Sequence, residues 1–227
     1  MKNRDHYNHL ANLFRYPDDS YKTNSARCAQ ILRAEYPEAF AAALPFFQFV
    51  DAHELPRVEE VFGKTFHIQA ICFLDIGYVL FAEDYKRGEF LVKMKDEQRR
   101  ADNDCGYELA DNLPNVLTLM AKMEDEAFLA EFAVRVMQPA LRMMLAEFDQ
   151  ARMDLKDKVR KKKQKVILME DMDNKNSYQF AIQALLSVIT EDFKGVKYND
   201  PAITPTIGGN FLKSCNTSCS TTLQTQK

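Results

Sequence analysis

His6 and His9 can share one helical face, and Cys215 and Cys219 stand in a Cys-x-x-x-Cys arrangement near the C-terminus. Both pairs have residue types that hold metals. A structural zinc site takes four protein ligands, and neither pair brings the others. No carboxylate cluster accompanies the histidines, so the sequence predicts no bound metal. A third set of residues invites recognition. It comprises Tyr78-Val79-Leu80-Phe81-Ala82-Glu83-Asp84-Tyr85-Lys86-Arg87-Gly88-Glu89-Phe90-Leu91 and Glu108-Leu109-Ala110-Asp111-Asn112-Leu113-Pro114-Asn115-Val116-Leu117. Both segments set polar groups beside large apolar side chains, as a surface that grips another chain would. Neither holds a nucleophile with a base, and the chain has no GxxxxGK[ST], HExxH or GxSxG pattern. The expectation is a protein that binds, carries no cofactor and catalyses nothing.

The two segments resemble motifs of the assembly chaperones of molybdenum oxidoreductases, the nitrate reductase delta-type and trimethylamine-oxide reductase maturation family. That family shows a Gly-Glu step shortly before an Arg-Gly pair, then a Glu-Leu-Pro-Asp-x-Leu-Pro stretch that opens a helix. Glu83, Arg87 and Gly88 fit the first pattern, with Ala82 where the family often has Gly. Glu108, Leu109, Asp111, Leu113 and Pro114 fit the second, with Ala110 in place of a Pro. The likeness is clearest from Tyr78 to Met120 and extends loosely to Phe14-Arg15-Tyr16-Pro17. It implies an all-α chaperone that binds the N-terminal leader or tail of an immature molybdopterin oxidoreductase catalytic subunit. The chaperone holds that subunit until the molybdenum cofactor is inserted, as in nitrate reductase assembly. For an exported client the leader carries a twin-arginine signal. Proteins that deliver the cofactor are further partners it implies, and helix exchange into a homodimer is an open alternative. The rival reading is a helical adaptor or regulator that binds another partner.

A leader of this kind is a short amphipathic or apolar peptide that suits a groove between helices. Its basic residues need acids at the rim. On that reading Tyr78, Phe81 and Tyr85 supply contacts, and Glu83, Asp84 and Asp111 supply negative charge. Leu113 and Pro114 set the angle of the facing helix. The same residues have structural readings. Large apolar side chains usually lie in a core, which applies to Phe81 and Leu113. Asp111 also suits a cap on the helix near Pro114, and Arg87 suits a brace to Glu83 on one helical face. Asp75 interrupts an apolar stretch, and an unpaired buried carboxylate is costly, so it needs a structural partner or a leader arginine.

Helices must position these groups, because apolar spacing of three and four recurs along most of the chain. Tyr7, Leu10, Leu13 and Phe14 form one stripe, stopped by Pro17. Phe40, Ala43, Leu44, Phe47 and Val50 form another, with Pro45 as a bend or break. Pro56 starts a helix carrying Val58, Val61 and Phe62. Ala70 to Ala82 reads as a buried helix. Lys86 to Arg100 buries Phe90, Leu91 and Met94; Ala101 to Asn112 is a loop; Pro114 opens a helix with Leu117, Met120 and Met123. The strongest stripe runs from Phe128 to Phe148, and Pro139 inside it marks the start of a new helix. Tyr178, Ile182, Leu185, Leu186, Ile189 and Phe193 make the last one. The expected architecture is a single helical bundle over residues 1–195, with a hinge candidate at 152–177 and a loosely ordered polar tail at 196–227.

Composition bounds the remaining classes. A chain of 227 residues encloses one core without disulfides or metal. Seven glycines and ten methionines favour helices. A net charge of −3 gives no electrostatic case for nucleic acid. The basic run Arg160 to Lys165 reads as a solvated helix face or hinge, with acidic lipid or an acidic client patch as the alternative. Five scattered cysteines fit a reducing compartment. Met1 to His9 lacks the apolar run of a signal peptide, and Ala70 to Ala82 is too short to span a bilayer, which takes about 20 residues. A cytoplasmic location without stable membrane insertion is expected.

Overall fold

The computed structural model describes residues 4–68, 70–162 and 177–197. The chain forms α1 (His6–Ala11), extended by a 3₁₀ turn at Asn12–Phe14, then α2 (Tyr21–Glu35), α3 (Pro37–Ala52) and α4 (Leu55–Phe66). Next come α5 (Ile76–Phe81), α6 (Lys86–Arg100), α7 (Leu113–Lys122) and α8 (Glu126–Phe132). A π-helical turn at Ala133–Met137 leads into α9 (Gln138–Lys162), and α10 (Ser177–Asp192) completes the bundle. The fold is all-α, as expected. Among the described residues β-pairing is limited to one isolated antiparallel bridge, Asp75 to Asn112.

The centre of the core is α10. Tyr178, Ala181, Ile182, Ala184, Leu185, Val188 and Ile189 are all fully buried. That stripe is too wide for a helix with one wet face, so neighbours must cover it on more than one side. It packs against α3 and against α9. The stripe from Phe128 to Phe148 joins the same core through Phe132, Val136, Leu141, Met144 and Phe148, all buried. At the start of α10 the Tyr178 ring lies 5.2, 5.5 and 5.1 Å from the rings of Phe46, Phe62 and Phe66. Its hydroxyl meets that of Tyr21 at 2.9 Å, and Tyr21 donates to the Leu13 carbonyl at 2.7 Å. One buried phenol thus joins four helices, each ring contact adding about 0.5–1.5 kcal/mol beyond burial.

One local expectation needs correction. Ala70 to Ala82 is not one helix: only Ile76–Phe81 is helical, because Asp75 pairs with Asn112 and the chain reverses at Ala82. Pro139 is the second residue of α9, so a new helix begins there as expected. The Gln138 N–H reaches back five residues to the Ala133 carbonyl, and this wider π turn accommodates a proline that has no N–H to give. Pro45 leaves α3 continuous. It is exposed, as is Ala41, whose carbonyl lacks a partner N–H and can be solvated instead. The hinge candidate begins inside α9, which continues to Lys162; residues 163–176 and 198–227, with the rest of the hinge and most of the tail, lie outside the described residues.

Candidate functional site

The chain just before the first motif segment meets the second segment at the Asp75–Asn112 bridge. The Ile76 N–H donates to the Asp111 carbonyl at 2.9 Å, and the Leu113 N–H donates to the Leu74 carbonyl at 2.8 Å. Each bond lies where a helix begins, so the N-termini of α5 and α7 stand side by side. Pro114 fits the first turn of α7, where its missing N–H removes no helical bond.

Asp111 lies at the centre of this junction, with no solvent exposure. It does not cap α7. Its Oδ2 instead accepts the Gly77 N–H at 3.0 Å, so it caps α5 from across the junction. Its Oδ1 is buried without a hydrogen-bond partner. Burial raises the Asp111 carboxyl above its ordinary value; the charge of Asp75 adds to this, and the Gly77 N–H and Arg87 offset it only in part. The contact also fixes the residue at 77. A Cβ there would sit 2.7 Å from Asp111 Oδ2 and 2.9 Å from Phe90 Cδ1, so only glycine fits.

Asp75 is partly exposed and has a structural partner. Its Oδ1 accepts from Asn112 Nδ2 at 3.2 Å, and its Oδ2 lies 3.7 Å from Arg87 Nη2. The Arg87 guanidinium sits 5.0 Å from the centre of the Tyr78 ring, and Phe73 meets that ring edge-on at 4.4 Å. Phe73 is 43% exposed, so the stack Phe73–Tyr78–Arg87–Asp75 faces outward. The expected brace between Arg87 and Glu83 is replaced by this pairing, because the two residues do not share a helix. Between α5 and α6 the chain turns at Ala82, with φ 49° and ψ −126°, and the Asp84 N–H bonds the Phe81 carbonyl at 3.0 Å. These are the angles of a type II′ turn, which strongly favours glycine at this position.

The predicted site residues therefore divide. Phe81, Leu113 and Pro114 are buried, Phe81 against Phe90 at 5.7 Å. Asp75, Tyr78 and Arg87 form the half-exposed stack, and Glu83, Asp84 and Tyr85 stand exposed on the turn beside it. Asp111 lies beneath. Sequence reasoning missed Phe73, Gly77 and Asn112. It also missed the amides that fix the loop after α6. Gln98 Nε2 donates to the Ala110 carbonyl at 2.7 Å, and Asn115 Nδ2 donates to the carbonyls of Cys105 at 3.1 Å and Leu109 at 3.0 Å. Buried amides in and beside a loop were the available signal, since such groups require partners.

No family model matches this chain, and neither the curated proteins nor the solved structures contain a significant match to it. The chaperone resemblance rests on the quoted motifs. No described helix is long and apolar enough to cross a membrane. Among the described residues no group of three or more His, Cys, Asp or Glu is placed to hold a metal ion. His6 is engaged otherwise, its Nε2 lying 2.8 Å from Asp192 Oδ2. Tyr7 and Tyr36 donate to the two oxygens of the same carboxylate, each at 2.7 Å. Burial alone would raise the Asp192 carboxyl; the bonds from His6, Tyr36 and Tyr7 outweigh it and leave the group below its ordinary value. Burial pushes the Cys28 thiol up to about 12, so it is not a nucleophile at neutral pH. Cys215 and Cys219 lie outside the described residues.

Proposed function

We propose that this chain is a binding protein of the molybdenum-oxidoreductase assembly chaperone kind, which holds the N-terminal leader of an apo catalytic subunit at the α5–α7 junction. The supporting observation is that two costly local features coincide there, a buried carboxyl with an orphan oxygen and a glycine locked by contact, while the turn at the other end of α5 adds a non-glycine residue at positive φ. Folded chains keep such violations mostly where function needs them. Above them lies a platform suited to a basic peptide, with the face of Tyr78, the edge of Phe73 and the carboxylate of Asp75.

In this reading Arg87 is a placeholder. Its contact with Asp75 is long and partly exposed, and such pairs contribute about 0–1 kcal/mol. A leader arginine can take its position over Tyr78 and against Asp75, while apolar leader residues lie along Phe73 and Tyr85. Holding the leader raises the effective concentration of a second contact with the immature client. Cofactor insertion folds the client, removes that second contact and releases the chain. Titrating the full-length protein with leader peptides of molybdopterin oxidoreductase subunits encoded nearby tests the proposal. Saturable micromolar binding is expected. Absence of saturation well above that range, across all such peptides, would contradict it.

A further inference from the structure

A second surface lies away from this junction, between α2 and α3. The two helices leave an open trough of about 310 Å³. Its floor is made of small residues, Ala26 and Ala29, and its wall of Phe40, Leu44 and Phe47. Leu44 is 39% exposed, which is unusual for a large apolar side chain beside a recess that aromatic rings already line. Lys22 and Arg33 mark the two ends. They are eleven residues apart on α2, or about 16 Å at 1.5 Å per residue.

Both marked ends of the trough carry a cation, and Asp51 also lines it. Arg33 lies over the Phe40 ring at 4.6 Å, which fixes its guanidinium at the rim. Lys22 reaches only the Asp51 backbone carbonyl, at 3.4 Å. Among the described residues neither cation has a carboxylate within ion-pair distance. Arg57, Lys64, Arg99, Arg100 and Lys194, by contrast, each pair with an acid three or four residues away. The small floor permits close approach of another backbone, and the open side admits a third helix on the α2–α3 pair. We infer that this trough docks a short amphipathic helix of a partner protein, with apolar residues along one face and acids at both ends. This is helix-in-groove recognition, with Leu44 and Phe47 as contacts and Lys22 and Arg33 fixing register. The inference does not depend on the leader site.

The test uses the full chain and a panel of fluorescein-labelled amphipathic peptides of about 15 residues, four helical turns. Each has three Leu or Phe residues on one face and Glu at both ends; a twin carries Lys at those ends. The Glu peptides are expected to bind saturably at micromolar levels and to lose about tenfold or more on Leu44→Glu and on Arg33→Glu. Asp75→Asn should leave their affinity unchanged. Circular dichroism of each variant, with exposed positions chosen, separates lost docking from lost fold. Four results would overturn the inference: no saturable binding by any Glu peptide, equal binding of the Lys twins, indifference to Leu44→Glu, or self-association of the chain that Leu44→Glu abolishes.

Discussion

Asp192 and Asp111 are both carboxylates taken largely out of water, and they differ in what surrounds them. Asp192, at the last residue of α10, takes hydroxyls from Tyr7 and Tyr36 and a ring nitrogen from His6. Those partners come from α1 and from the α2–α3 connection, so one charge ties two places to the end of the central helix. Asp111 takes one side-chain bond, from Gly77 N–H, and faces a second carboxylate, Asp75. The first carboxyl titrates below its ordinary value and the second above it. The difference comes from donor count, since both are desolvated: a buried acid with its lone pairs filled stabilises a fold, and one left half-filled destabilises it. The first region has the character of a structural tie. The second lacks that full set of partners.

Removing the tie should give the largest effect. Asp192→Ala strands the hydroxyls of buried Tyr7 and half-buried Tyr36 and a histidine, and should cost about 3–5 kcal/mol in urea denaturation. A loss below about 1 kcal/mol would erase the contrast. At the junction, Gly77→Ala forces a methyl against Asp111 and Phe90 and should cost about 1–3 kcal/mol. Ala82→Gly should act in the opposite direction. Relief of the strained turn exceeds the entropy lost by glycine, for a gain of about 1 kcal/mol in the same measurement.

The smallest effect is the most specific, because it is a slope. Asp192 has a depressed folded value, so its stabilisation is present above the unfolded value, about 3.9, and is lost as pH falls through the folded one. Asp111 has a raised folded value, so wild type loses stability relative to Asp111→Asn as pH rises from about 4 through that value. Denaturation of wild type, Asp192→Asn and Asp111→Asn at a series of pH values should give differences of opposite slope. At pH 7 the Asp111→Asn protein should be at least as stable as wild type, within about 1 kcal/mol. Parallel slopes would mean that the two acids are equivalent.

Much of the bundle was legible because its helices have regular apolar stripes, as with Tyr178 to Ile189 and Val116 to Met120. The α2 helix was not. Its buried face is Tyr21, Ser25, Cys28 and Leu32, and two of those four residues are small enough to hide the periodicity. The short α5 was over-read as a longer helix because Ile71, Cys72 and Leu74 are apolar for packing reasons although they lie in irregular chain. Around Asp75 and Asp111, the motif residues come close together in the fold. Their partners were not legible, since Asp111 meets Gly77 and Asp75 meets Asn112 only through the fold. The unfilled valence of Asp111 belongs to three-dimensional packing and leaves no trace in residue spacing.

The central claim is that the outward stack on Asp75 receives a leader arginine. The direct measurement is a double-mutant cycle by calorimetric titration, using wild type and Asp75→Asn against a native leader peptide and its Arg→Gln form. The account predicts about a tenfold loss for either change alone and little further loss when both are made, as expected for two groups that contact each other. Equal affinity of wild type for the two peptides, or fully additive losses, would contradict it.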